Sequence, residues 1–244
     1  MSSGFRVEPL RDSGPLAHDA GALRREAGEQ GYLFFPGAVE PEALVRLRRR
    51  ILERCAERGW LAADAPLMDG VGAPSVRLGA YGEEWVALQC EVAIFPEFVS
   101  LRRHPFVLSV LERLFGTPPL EGRGDVCRLF SPAASDLTTP PHQDRFYVPE
   151  SGRLWTVWVP LGDCPLELGG LAVLPCSHRL GLLPHGGERQ GVEIPEDRVW
   201  ATGSYRCGDV VMFSSLTLHR ACENATRDRL RISADFRYVP STAA

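Results

Sequence analysis

Arg229-Leu230-Arg231-Ile232-Ser233-Ala234-Asp235-Phe236-Arg237-Tyr238-Val239 alternates polar and apolar residues through Tyr238. Successive side chains of a strand leave opposite faces. Leu230, Ile232, Ala234, Phe236 and Tyr238 therefore make one face, and Arg229, Arg231, Ser233, Asp235 and Arg237 the other. The period of two predicts a strand over 229–239. Upstream, short apolar runs punctuated by Pro and Gly predict further strands over 125–130, 154–159, 171–175 and 209–213. His142-Gln143-Asp144 follows Pro140-Pro141, a context that favours extended or turn backbone.

The first half has a different texture. Residues 21–30 are rich in Ala, Leu, Arg and Glu and predict a helix that Gly31 ends, followed by a buried strand at Tyr32-Leu33-Phe34-Phe35. Pro41 suits a first helical turn, and Leu44, Leu47, Ile51, Leu52 and Cys55 recur at helical spacing until Gly59. A second amphipathic helix runs from Pro105 through Val107, Leu108, Val110, Leu111 and Leu114 to Gly116. Residues 61–90 show no clear period, which points to a lid, a binding loop or hidden elements. Helices first and many short strands after predict a mainly β fold with flanking α-helices, a sandwich or open barrel. No composition shift marks a linker. The expected organisation is a single domain over 1–244, with a helical part at about 1–120 and a β core at about 121–240.

Composition closes several routes. The formal charge is −4, so no net positive field would gather nucleic acid. All 27 basic residues are Arg, which excludes Schiff-base lysines, the lysine of a phosphate-binding loop and Ser-Lys dyads. The seven cysteines are scattered and never form a C-x-x-C pair, the usage of a reducing compartment. No apolar run approaches the roughly 18–20 residues that cross a bilayer, and the first residues carry no signal-like apolar stretch. The expectation is a cytoplasmic protein whose partner is a small-molecule substrate, neither nucleic acid nor membrane.

The chemistry concentrates around His142. On an extended backbone His142 and Asp144 project to one side and can grip one ion. His219 follows the run Gly208-Asp209-Val210-Val211-Met212-Phe213, a turn into an apolar strand, and would lie near that strand's far end. Two His and one carboxylate on a face form the triad of non-heme Fe(II) oxygenases, which leaves three coordination positions open. A bidentate keto acid fills two of them and dioxygen the third. The distal carboxylate of the keto acid then needs a planar cationic partner, and Arg229, which opens the polar face of the last strand, is the candidate.

These segments resemble the phytanoyl-CoA dioxygenase family of Fe(II)/2-oxoglutarate oxygenases. The resemblance rests on Pro141-His142-Gln143-Asp144, Trp155-Thr156-Val157-Trp158, the run Gly169 to Arg179, Gly208 to Phe213, His219, Asn224 and Arg229, and early on Gly31 to Gly37. Gly169 stands where Asn is common, and Cys176 where Gly is common. The resemblance implies a double-stranded β-helix (jelly-roll, cupin-like) core with His142, Asp144 and His219 on Fe(II). It places Arg229 on 2-oxoglutarate, with Trp158, Thr156 and Ser233 in the same pocket. The implied reaction consumes O2 and 2-oxoglutarate and releases succinate and CO2. Related halogenases lack the carboxylate ligand, so Asp144 points to hydroxylation.

Two other readings use the same ligands: a redox-neutral, isomerase-like jelly-roll enzyme, and a binding module that kept the fold without turnover. Substrate specificity is expected in 61–92 and around Arg145, Phe146 and Tyr147, with Arg77 and Arg145 as partners for an acidic group.

Overall fold

The computed structural model describes residues 6–241 apart from 81, 133, 150–152 and 187–189. In chain order the main elements are β1 (Arg6–Glu8), α1 (Ala20–Gln30), β2 (Tyr32–Phe35), α2 (Pro41–Glu57), α3 (Glu83–Val92), α4 (Pro96–Arg102) and α5 (Pro105–Phe115). They continue with β3 (Pro119–Glu121), β4 (Val126–Phe130), the short α6 (Asp144–Tyr147), β5 (Trp155–Pro160), β6 (Leu171–Val173), β7 (Val199–Ala201), β8 (Val210–Ser214), β9 (His219–Ala221) and β10 (Arg231–Pro240).

Two sheets form. The larger has the order β2-β8-β5-β10-β3, with β4 also paired to β10, and the smaller has the order β1-β7-β6-β9. All pairings are antiparallel except β1 with β7. This is the double-stranded β-helix with flanking helices that the family resemblance implies.

Alternation decides what each face of the large sheet meets. Leu33, Phe35, Val157, Val159, Met212, Ile232, Ala234 and Phe236 join Leu44, Leu47, Ile51, Val107 and Leu111 of the helices in one core. The opposite side chains, Tyr32, Trp158, Val211 and Phe213, meet Leu171, Val173 and Ala201 of the small sheet. Trp155 and Trp158, three residues apart on β5, accordingly go to different cores.

The structure corrects several expectations. The last strand begins at Arg231, not Arg229; Arg229 makes only an isolated bridge to Val71. Asp144 opens α6 instead of continuing an extended segment. Part of the aperiodic stretch is helix, namely α3, whose Leu88 and Val92 are buried. Cys176 adopts φ 64°, the left-handed region that explains the family's usual glycine there.

Candidate metal centre

An isolated antiparallel bridge joins the two histidines: each backbone N–H donates to the other's carbonyl, at 2.9 and 3.0 Å. The ring centroids lie 4.0 Å apart. His142 Nδ1 faces Pro140 O at 2.8 Å, and His219 Nδ1 faces Thr217 O at 3.0 Å. A carbonyl only accepts, so each ring keeps its proton on Nδ1 and presents the Nε2 lone pair. Burial pushes both pKa values below the ordinary 6.5, so both imidazoles are neutral at neutral pH.

Asp144 Oδ1 lies 3.7 Å from His142 Nε2 and 3.8 Å from His219 Nε2. All three residues are buried, and their ligand atoms lie within 4.8 Å of one another. Burial alone would raise the Asp144 carboxyl; the Arg237 guanidinium, by its charge and its hydrogen bonds, outweighs it and holds the group well below the ordinary carboxylate range. Two neutral nitrogens and one ionised carboxylate, each held by second-sphere hydrogen bonds, suit a divalent first-row metal.

The two imidazoles of the triad line a narrow cavity between the two sheets. Its walls include Trp158, Leu171 and Phe213, and its polar lining includes Arg128, Arg231 and Asp235. Arg128 pairs with Asp235. Arg231 is only 2% exposed; its Nε donates to Gly169 O at 3.1 Å, one terminal NH2 group donates to Ser233 Oγ at 2.6 Å, and the guanidinium sits 4.2 Å above the Phe130 ring. Burial pushes its pKa down to about 10, which leaves it charged at neutral pH. Among the described residues it has no carboxylate partner.

Arg229 is exposed and is not brought to the triad. It lines a surface groove with Arg48, Asp163 and Asp228. Hydrogen bonds to other segments hold this stretch back: Asn224 Nδ2 donates to Arg229 O and Phe130 O, and Leu230 N donates to Gly70 O, so the chain enters the β4–β10 ladder only at Arg231. Arg77 is likewise absent from the cavity; it makes an exposed pair with Asp136. Thr156 donates to Asp144 Oδ2 and so touches the carboxylate of the triad. Trp158 lines the cavity, and Ser233 braces Arg231. Tyr147 meets the His142 ring edge-on at 5.6 Å, and Phe146 stacks on His185 at 3.9 Å. Arg145 donates its backbone N–H to Ser215 O at 3.0 Å, and a terminal nitrogen of its side chain is buried without a partner. Sequence reasoning did not single out Arg128, Asp235 or Arg237. Their signal is the unusual density of charge on alternate positions of strands in a buried sheet.

Geometry of this kind defines a mononuclear facial-triad site. Residues 28–233 match the phytanoyl-CoA dioxygenase (PhyH) family, and the chain belongs to it: a non-heme iron oxygenase that uses 2-oxoglutarate. The chain is 28% identical to a 1-deoxypentalenic acid 11-beta-hydroxylase from Streptomyces arenae, over 95% of this chain and 85% of the relative. Among solved structures it resembles the epimerase SnoN in complex with Fe3+, alpha ketoglutarate and nogalamycin RO, with TM-score 0.65 and 23% identity over 92% of this chain and 85% of that one. It also resembles EvdO2 from Micromonospora carbonacea var. aurantiaca complexed with 2-oxoglutarate, with TM-score 0.58 and 18% identity over 98% and 95% of the two chains.

Proposed function

We propose that this protein hydroxylates a small organic molecule, consuming 2-oxoglutarate and O2 and releasing succinate and CO2. The observation that carries the reading is one cavity lined by both the triad imidazoles and a buried arginine that has no carboxylate partner among the described residues. A buried lone charge is costly to keep unless something pairs with it. A dicarboxylate that chelates a metal at one end meets Arg231 with the other.

His142, Asp144 and His219 would hold the iron, which when bound supplies dioxygen activation coupled to decarboxylation of the keto acid. Each histidine holds its Nδ1 proton on a backbone carbonyl and keeps Nε2 available. Arg231, braced by Ser233 and Gly169 O, orients the distal carboxylate of 2-oxoglutarate in place of Arg229. Trp158, Leu171 and Phe213 keep that end of the cavity dry. Phe146, Tyr147 and His185, clustered beside His142, form the wall on which a substrate would lie. Hydroxylation is supported by Asp144, which fills the carboxylate position, and by relatives named as hydroxylases at 28% and 27% identity. An enzyme that dispensed with 2-oxoglutarate would leave Arg231 without that partner.

The test is succinate formation by protein loaded with Fe(II). Wild type should form succinate from 2-oxoglutarate, slowly without substrate, and His219→Ala should form none while keeping its far-UV circular dichroism. Equal succinate from both proteins would remove His219 from the site.

A further inference from the structure

The Asp144 carboxylate accepts three hydrogen bonds from two side chains. One Arg237 terminal nitrogen donates to Oδ1 at 3.0 Å, Arg237 Nε donates to Oδ2 at 3.3 Å, and Thr156 Oγ1 donates to Oδ2. Arg237 and Thr156 are register partners on β10 and β5, so the sheet itself brings the two donors together. The arginine is pinned in turn: it is 6% exposed, its other terminal nitrogen donates to Gly124 O, and its backbone N–H donates to Asp125 Oδ1 at 3.1 Å. Asp125 pairs with Arg102, which also meets Glu121. A guanidinium that grips both oxygens of a carboxylate fixes its plane as well as its position.

The lone pairs can be counted. Each carboxylate oxygen has about two acceptor directions. Thr156 and Arg237 Nε use both on Oδ2, so that oxygen has none left for a metal. Oδ1 spends one on Arg237 and keeps one, and Oδ1 is the atom that faces both Nε2 atoms. We propose that Arg237, with Thr156, is a positioning residue that makes Asp144 a one-oxygen metal ligand aimed between the two imidazoles. A carboxylate free to rotate would chelate through both oxygens and consume one of the three positions that a keto acid and dioxygen need. The fixed positive charge of Arg237 also cancels that of the carboxylate, which leaves the metal more attractive to an anionic co-substrate.

The proposal rests on Asp144 being a metal ligand, and Co(II) binding to the full-length protein, without 2-oxoglutarate or oxygen, separates the two ideas. Wild type should bind one Co(II) and His219→Ala none; if both bind alike, the metal-site reading fails. With that control in place, Arg237→Gln should weaken Co(II) binding about 10- to 100-fold and change its visible d–d spectrum. Arg237→Lys, which keeps the charge and loses the fork, should fall between the two. Leu111→Ala, in the helix-side core and away from the fork, should lower the melting temperature and leave Co(II) affinity within about twofold of wild type. A folded Arg237→Gln protein with wild-type affinity and spectrum would overturn the proposal, as would an equal loss in folded Leu111→Ala. Should the Arg237 variants fail to fold, a crystal structure of the wild-type Co(II) complex decides: one Asp144 oxygen on the metal with the fork intact supports it, and two-oxygen chelation sinks it.

Discussion

On one face of β10, Ile232, Ala234, Phe236 and Tyr238 pack against the helical layer; on the other, Arg231, Ser233, Asp235 and Arg237 are equally buried and none is apolar. The first face gains stability from every apolar atom removed from water. The second loses hydration on each polar group and recovers it only through partners. Arg237 has Asp144, Asp235 has Arg128, and Ser233 has Arg231. Two groups on this face fall short: Asp235 Oδ1 has no hydrogen-bond partner, and Arg231 has no anion among the described residues. One strand thus carries a face built for stability beside a face whose charges the described residues leave incompletely paired. Substitutions on the two faces should therefore fail in different assays.

The largest effect belongs to the apolar face. Phe236 is 1% exposed and lies 4.8 Å from the Phe98 ring of α4. Phe236→Ala should cost about 3–5 kcal/mol through the cavity it leaves. For a chain of this length that lowers the melting temperature by roughly 6–20 °C. Below that temperature, Co(II) and 2-oxoglutarate affinities should stay near wild type. A tenfold loss of either in the folded variant would break the separation of the faces.

The alternation of β10 and the periodic helices α2 and α5 were open to reading because each has one apolar stripe and one core to meet. Less was readable in α3 and α4. The first has no strong apolar stripe, and the second is seven residues long and begins at Pro96. The paired ligands His142 and Asp144 were visible by spacing, yet the short helix that begins at Asp144 was not. The choice between Arg229 and Arg231 depends on where the strand starts, and segments far away in the chain set that through Gly70 O and Phe130 O, with the nearby Asn224 side chain bridging to the latter. Nor does alternation say that a polar face points inward. That follows only once a second sheet covers it.

A smaller effect should appear with pH in the metal-free protein. Burial holds His142 and His219 below their ordinary pKa of 6.5. Below pH 6.5 the unfolded chain takes up protons that the folded protein refuses, so stability is complete above that pH and falls as pH drops. The slope reaches about 1.4 kcal/mol per pH unit for each imidazole, until the folded-state values are reached. Urea midpoints should therefore decline from about pH 6.5 downward in wild type, and less steeply in His142→Phe. Identical slopes would mean that the histidine is not held neutral by burial.

The finest distinction lies along the strand, two residues apart. Arg231 and Arg229 share an alternation face and a charge, and they differ in burial, in neighbours and in which side of the ladder's start they occupy. A charge-assisted bidentate pair in a dry pocket contributes roughly 1.5–3 kcal/mol, so losing it weakens binding about 10- to 100-fold. Arg231→Ala should raise the 2-oxoglutarate dissociation constant by that factor while Co(II) binding persists, because Arg231 makes none of the hydrogen bonds to Asp144. Arg229→Ala should change it less than about twofold, since an exposed charge on an outer groove acts through screened water. Titrating 2-oxoglutarate into the anaerobic Fe(II) protein, and following the metal-to-ligand charge-transfer absorption, measures both. Arg231→Lys adds a further cut: a point charge in place of the fork should recover part of the lost affinity but not all of it. If Arg229→Ala loses the absorption and Arg231→Ala keeps it, the co-substrate does not bind along the inner face of β10, and the buried charge of Arg231 needs another partner.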